Sequence, residues 1–242
     1  MTEAARVDDE QVLAAIVARV DPADVAREMV ERFRAEIDGY RRLPDTVLAG
    51  QIFEVSRRNV ELFFRWVAGG AEPTEAELRL FRDSARNRAT EGMQLEDLLQ
   101  AYRAGGQIGF RRLEEAARPG EHGALLLAAR RLLEYVDRVS AVVGQTYLDE
   151  RQALVSEEER RLRELLDCLL DGAPVPAPLR ELAERIGFPL TGPYRPVALA
   201  VPGGSARRHA QLAAALRARG VLALTEGERV VGLVAAARDL VA

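Results

Sequence analysis

The stretch that decides the fold runs from Arg86 to Gly106, RNRATEGMQLEDLLQAYRAGG. Just before and within it, Leu78, Phe81, Ala85 and Gly92 recur at helical spacing and mark one face of a helix, and Arg88 falls on that same face. A guanidinium keeps its proton, so a buried Arg88 requires a carboxylate or several carbonyls. Glu91, Glu96 and Asp97 are the nearest candidates. Gly92 breaks the helix, and a second one follows with Leu95, Leu98, Leu99, Tyr102, Gly106, Gly109 and Leu113 as its apolar stripe. Tyr102 then points inward and Arg103 sits at the margin. The two helices meet at a corner lined by Arg88, Tyr102 and Arg103. A structural salt bridge that locks the corner is the first reading, and a small-ligand or partner site is the second.

Working outward toward the N-terminus, Thr74 and Glu77 form a capping box for the helix that carries Arg88. Before it, Pro44 and Asp45 start a helix whose inward face is Leu48, Ile52, Val55, Asn59, Leu62, Phe63 and Trp66. Asn59 is the polar exception, and a buried amide there is expected to bond a backbone carbonyl of a neighbouring helix, with ligand contact as the alternative. Asp21 and Pro22 read as N-cap and first residue of a helix that buries Val25, Met29, Phe33, Ile37 and Tyr40. Gly105, Gly106 and Gly109 each cost about 1 kcal/mol relative to Ala within a helix, which points to close approach of another helix.

Toward the C-terminus, residues 121–170 contain no proline and predict one long helix or two, with Ser156 and Glu159 able to cap a fresh start. Leu125, Ala129, Leu132, Val136, Val139, Val143 and Tyr147 form a stripe for packing on the bundle. Leu148, Val155, Leu162, Leu165 and Leu169 continue at near-heptad spacing, a seam suited to a homodimer. The segment DGAPVPAP, 171–178, is the clearest boundary. Beyond it the pattern is helix, strand, helix, strand, tight turn, strand, the first part of a ferredoxin-like unit. The expected division is a helical sensor or interaction domain over 1–150, a helical linker over 151–177 and a partial α/β domain over 178–242.

Three pieces of the central stretch also carry a family resemblance: Arg86, Arg88, Ala89 and Gly92 as R-x-R-A-x-x-G; Leu95, Asp97, Leu98 and Leu99 as L-x-D-L-L; and Ala101, Tyr102, Arg103 and Gly105 as A-Y-R-x-G. This pattern resembles the helical N-terminal domain of PucR/CdaR-type bacterial transcriptional regulators, the domain also named after the RsbT co-antagonist proteins. Where family members often carry Trp after the A-Y-R, this chain has Phe110. The six or so helices read from the residues give a mainly α protein, a multi-helix bundle with a non-haem globin-like layout, while the resemblance implies a helical N-terminal domain followed by a degenerate GGDEF-like domain and a C-terminal helix-turn-helix. It implies a ligand- or partner-sensing regulator, or a partner-binding stress-signalling regulator without DNA binding. On this reading Arg88, Glu91, Tyr102, Arg103 and Asn59 are the candidate ligand- or partner-binding residues.

Composition narrows the alternatives. The chain has 242 residues, 48% of them hydrophobic, with 34 basic against 38 acidic side chains and a net charge of -4. That balance offers no overall pull toward nucleic acid, and the Arg pairs scattered among acids read as solvated helix faces. The start lacks a signal-peptide layout, no apolar run approaches a membrane span, and the single Cys168 fits a reducing compartment, so a cytoplasmic protein is expected. A cyclase requires an acid after its first strand to hold Mg²⁺ and a Gly-rich acidic hairpin for the nucleotide. Here the loop reads PGGSARRH and the hairpin Thr225, Glu226, Gly227, Glu228. His122 and His209 have no acidic or Cys neighbours at ligand spacing and are expected on the surface, and only Met29 lies where a haem ligand would be needed. No catalytic residue, metal site or cofactor is expected.

Overall fold

Local capping chemistry sets where each helix begins. The computed structural model describes residues 3–69, 72–200 and 204–236. Helix α1 spans Glu3–Val17, and α2, Pro22–Glu36, starts as expected, with the Asp21 carboxylate accepting from Ala23 N at 2.8 Å and Pro22 in the first turn. The face read as one helix to Tyr40 is interrupted. Ile37 turns extended (φ -117°) and a single turn, α3 (Asp38–Arg41), follows, yet Ile37 and Tyr40 both stay buried. Helix α4 (Asp45–Val47) widens into a π turn at Leu48–Ile52 before α5 (Phe53–Gly69). A π turn takes one residue more than an α turn, so the periodicity of apolar side chains does not reveal it.

The Thr74–Glu77 capping box is present in full at the start of α6 (Glu75–Thr90). Helix α6 ends in a Schellman motif: Gly92 is left-handed (φ 75°), Gly92 N bonds Ala89 O at 3.1 Å, and Met93 N bonds Arg88 O at 3.0 Å. Met93 is buried beyond the stop, and its carbonyl accepts from the Tyr147 hydroxyl at 2.5 Å. Helix α7 (Leu95–Ala116) follows, then α8, His122–Leu170, a continuous run of 49 residues. The Ser156–Glu159 signal therefore does not interrupt it.

The chain divides into two compact units, Met1–Gln152 and Ala153–Ala242. In the first, one core gathers side chains from α1, α2, α5, α6, α7 and α8. The most buried line of α8 there is Ala124, Ala128, Tyr135, Val139 and Val143, so its register is turned from the expected stripe, leaving Leu125, Leu132 and Val136 half-buried and Leu126 and Leu133 exposed. Alanines on the inner line let the helix backbone lie close to its neighbours, which larger side chains would prevent.

In the second unit, α9 (Ala177–Arg185), β1 (Tyr194–Ala200), α10 (Ala206–Arg217), β2 (Leu222–Glu226) and β3 (Arg229–Ala235) form a three-stranded antiparallel sheet in the order β1-β3-β2. That order, with α10 crossing from β1 to β2, is the ferredoxin-like arrangement the sequence predicted. Period-two alternation gives each face its own core. Leu222, Leu224 and Leu233 pack with Leu162 and Leu165 of α8 and with α9, whereas Ala223, Val230 and Val234 pack with Ala213 of α10. Gly232 sits between Val197 and Ala223 in register, and a Cβ there would lie 2.0 Å from Leu222 O, so only glycine fits the centre of the sheet.

Two expectations change in this unit. The end of the segment read as linker is built into it: Leu162 and Leu165 are fully buried, Val175 packs on the same core, and Arg180 Nη1 bonds Val175 O at 2.9 Å, whereas residues 149–161, read as exposed, are exposed or half-buried. Of the supposed seam, Leu148 and Val155 remain exposed. His209, expected at the surface, is buried on α10 with neither ring nitrogen hydrogen-bonded, because it shares with Ala213 the helix face turned to the sheet.

Candidate functional site

Arg88 is the third-from-last residue of α6, where the Schellman turn holds its carbonyl and the negative end of the helix dipole favours a cation. Its side chain is 1% exposed. Nη2 donates to Gln51 Oε1 at 2.9 Å, a contact that the π turn at Leu48–Ile52 makes available. Nη1 lies 2.7 Å from Glu91 Oε2 but outside the hydrogen-bond direction, and Nε has no acceptor. Glu91 itself is 41% exposed. The corner is thus a buried cation under a half-solvated carboxylate, with donors left over.

One turn earlier on α6, Ser84 hydrogen-bonds the Tyr102 phenol of α7, and Phe81 packs edge-on against the same ring at 6.0 Å. Tyr102 is bordered by two small cavities, each with about 20 Å³ open to the centre of a water molecule, room for about one water. One lies toward α8 and is lined by Gly105, Gly106, Gly109, Tyr135 and Val139. The other lies toward α2 and α5 and is lined by Phe33, Tyr40, Ile52, Ser56, Ser84 and Ala101. Met29, Asn59 and Tyr102 border both.

The three glycines account for the tightness of this region. A Cβ at Gly105 would stand 2.5 Å from Met29 Cε, at Gly106 it would stand 3.1 Å from Val136 Cγ2, and at Gly109 it would stand 3.5 Å from Phe63. Each glycine therefore faces a different helix: α2, α8 and α5.

Burial raises the phenols of Tyr40 and Tyr102 well above the ordinary tyrosine range; the Arg88 charge opposes the shift in both, and for Tyr102 the Ser84 hydrogen bond does so as well. Tyr135 is raised for the same reason, burial. Its hydroxyl donates to Asn59 Oδ1 at 2.6 Å, with Asn59 O at 3.2 Å. The Asn59 side-chain oxygen thus accepts from a tyrosine hydroxyl, a partner the sequence reading did not name.

Of the residues proposed from sequence, Arg88 and Glu91 come together, and Tyr102 and Asn59 share two cavity walls a turn away. Arg103 does not join them; it is exposed and bonds to no described residue. Sequence reasoning missed Gln51, Ser56, Ser84 and Tyr135, and named Met29 only as a core residue and as the one position suited to a haem ligand. Ser84 was in reach, four residues before Arg88 on the same face, whereas Gln51 depends on the hidden π turn. No group of three or more His, Cys, Asp or Glu suited to a metal ion occurs among the described residues.

The family model of the RsbT co-antagonist protein rsbRD N-terminal domain matches residues 23–162. The chain belongs to that family. The model of the GGDEF-like domain matches residues 171–241. No curated protein and no solved structure matches the chain. Arg88, Glu91, Tyr102 and both cavities therefore lie inside the rsbRD N-terminal domain, and the sheet belongs to the GGDEF-like domain.

Proposed function

We propose that this chain is the regulatory, non-catalytic part of a protein similar to PucR/CdaR-type transcriptional regulators, sensing a ligand or a partner at the Arg88–Tyr102 corner and passing the change to a DNA-binding domain outside the chain. The observation that carries the reading is helix α8. Its Leu132, Tyr135, Val136 and Val139 wall the cavity beside Tyr102, and further along the same helix Leu162 and Leu165 are core residues of the GGDEF-like unit. A change of packing at the cavity acts on a helix that the second unit cannot release without losing its core. Coupling of this kind requires two populated states of that helix.

The GGDEF-like unit is read as catalytically silent, because the loop 201–205 contains no acid and the β2–β3 turn offers only Gly227 and Glu228 where a nucleotide-binding signature would lie. The protein is proposed to be a homodimer, with Leu126, Leu133, Leu148 and Val155 of α8 supplying exposed apolar side chains along one helix. A cytoplasmic location belongs to the same reading; no described helix is long and apolar enough to cross a membrane. The match to the RsbT co-antagonist family supports a second reading, a partner-binding stress-signalling regulator that does not contact DNA.

Footprinting of the full-length gene product on its own upstream DNA separates the two. Protection of a discrete site supports the transcriptional reading, and its absence together with co-purification of a signalling partner supports the other. A GTP turnover assay with Mg²⁺ tests catalytic silence, and any cyclic dinucleotide formed overturns it.

A further inference from the structure

We infer that the Arg88 corner binds a small monocarboxylate of the size of acetate or propionate, its carboxylate taking the place of Glu91 on the guanidinium and its short tail entering the cavity walled by Tyr40, Ser84 and Tyr102. This rests on the sensory reading of the bundle given above. Three features of the corner lead to it. The first is the cation: Arg88 is buried, cannot lose its proton, and leaves Nε and Nη1 without a hydrogen-bond acceptor. A buried donor without an acceptor is rare and unfavourable, and a charged one more so. An anion that accepts from either nitrogen relieves that deficit.

The second feature is Glu91. It neutralises Arg88 at 2.7 Å without hydrogen-bonding it and keeps 41% of its side chain in solvent. It is therefore a displaceable counterion, one rotamer change from full hydration. The third is the adjoining cavity. Ser56, Ser84, Tyr40, Tyr102 and Asn59 give it hydroxyls and an amide, while Phe33, Ile52 and Val55 give it apolar wall. Ser84, one wall of the cavity, stands one turn before Arg88 on the same face of α6, and Ile52, another, follows Gln51, the hydrogen-bond partner of Arg88, which places the cavity beside the corner; the Arg88 charge acts on Tyr40 and Tyr102 accordingly. Hydroxyls beside a cation with apolar surface behind them match a carboxylate with a short hydrocarbon tail.

Size and charge narrow the class further. Space for about one water admits only a one- or two-carbon tail, and then only if Met29, an unbranched side chain lying against Gly105, shifts to join the two cavities. With the ligand in the place of Glu91, the single Arg88 charge balances one negative charge, so a dianion such as phosphate would leave its second charge unpaired in a buried site.

The test uses the full chain. Thermal unfolding and calorimetric titration are run with sodium acetate, propionate, phosphate and chloride at pH 7 and constant ionic strength. Saturable stabilisation by acetate or propionate is expected, with no effect from chloride or phosphate. Glu91→Gln removes the competitor and should tighten carboxylate binding about two- to fivefold, the range of a half-exposed ion pair. Tyr102→Phe keeps the packing and should weaken binding, and Arg88→Met should abolish it. An equal response to chloride, a larger response to phosphate, or unchanged affinity in Glu91→Gln would each overturn the assignment.

Hydrogen exchange along residues 153–170 separates this inference from the one beneath it. Carboxylate binding that leaves exchange there unaltered keeps the ligand and removes the transmission. Exchange that responds to a protein partner, in a chain that binds no carboxylate, removes the ligand and keeps the sensor.

Discussion

Replacing Arg88 distinguishes a structural lock from a binding residue, and the structure fixes the expected signs. Breaking a fully buried ion pair costs about 3–5 kcal/mol because the abandoned partner is left charged and dry. Here the abandoned partner is Glu91, 41% exposed, so most of that penalty is absent. Gln51, the other partner, is also exposed. What Arg88→Ala loses is chiefly the buried stem, and truncating a side chain of comparable length to alanine costs about 2–5 kcal/mol. Arg88→Met keeps the stem and removes a cation with two unsatisfied nitrogens. Exchanging a poorly satisfied buried charge for an apolar side chain of similar shape ranges from neutral to stabilising by about 1–4 kcal/mol.

At about 2–4 °C per kcal/mol for a chain of this size, Arg88→Ala should melt roughly 4–20 °C below the wild type, and Arg88→Met at or above it. Trp66, the only tryptophan and a member of the same core, reports this transition by fluorescence without interference from the second unit. The measurement belongs in buffer free of carboxylates. If Arg88→Met melts as low as Arg88→Ala, the guanidinium is a net stabiliser, and the corner is a salt bridge first and nothing more.

Three further outcomes are expected. Tyr135→Phe leaves the buried Asn59 side chain without its donor and should cost the bundle about 1–3 kcal/mol in urea denaturation, whereas a solvent-filled gap there would leave stability unchanged. Leu162→Glu places a charge in the core of the second unit and should expose residues 177–235 to limited proteolysis while Trp66 fluorescence stays native; a change confined to oligomeric state would restore the seam reading of this residue. Glu77 is held at about 2, below its ordinary 4.5, by Arg65 first and then by the Thr74 backbone N–H. A carboxylate depressed in the folded state contributes fully above its unfolded value and less as the pH falls, so bundle stability should decline between about pH 4.5 and 2. Glu77→Gln should flatten that decline, and an unaltered slope would mean that other carboxylates dominate it.

What the sequence disclosed follows the range of the interaction concerned. Asp21, the Thr74–Glu77 box and the Gly92 stop act over a few residues, and each was legible because its partners are neighbours in the chain. The β1-β3-β2 order was legible from the succession of elements and a two-residue turn led by Gly227 (φ 58°). The register of α8 was not: Ala124 and Ala128 face inward and Leu126 and Leu133 outward, an outcome decided by how near the neighbouring helices come. Leu162 and Leu165 looked like a seam because heptad spacing does not say whether the covering surface is a second copy or a sheet sixty residues later. At the site, Arg88 announced itself by breaking an apolar pattern. Tyr135, being apolar in pattern, did not.

The wide turn at Leu48–Ile52 bears on how related chains should be aligned. It holds one residue more than an α turn, so removing a single residue between Pro44 and Phe53 would leave an ordinary helix. Either Gln51 or the start at Asp45 would then rotate by about 100° about the axis, and the amide would lose its place beside Arg88. Chains of equal length in this interval are expected to keep an amide opposite the arginine, and chains shorter by one are expected to have lost it. A gap of one column in an alignment thus records the presence or absence of a single contact to a buried charge.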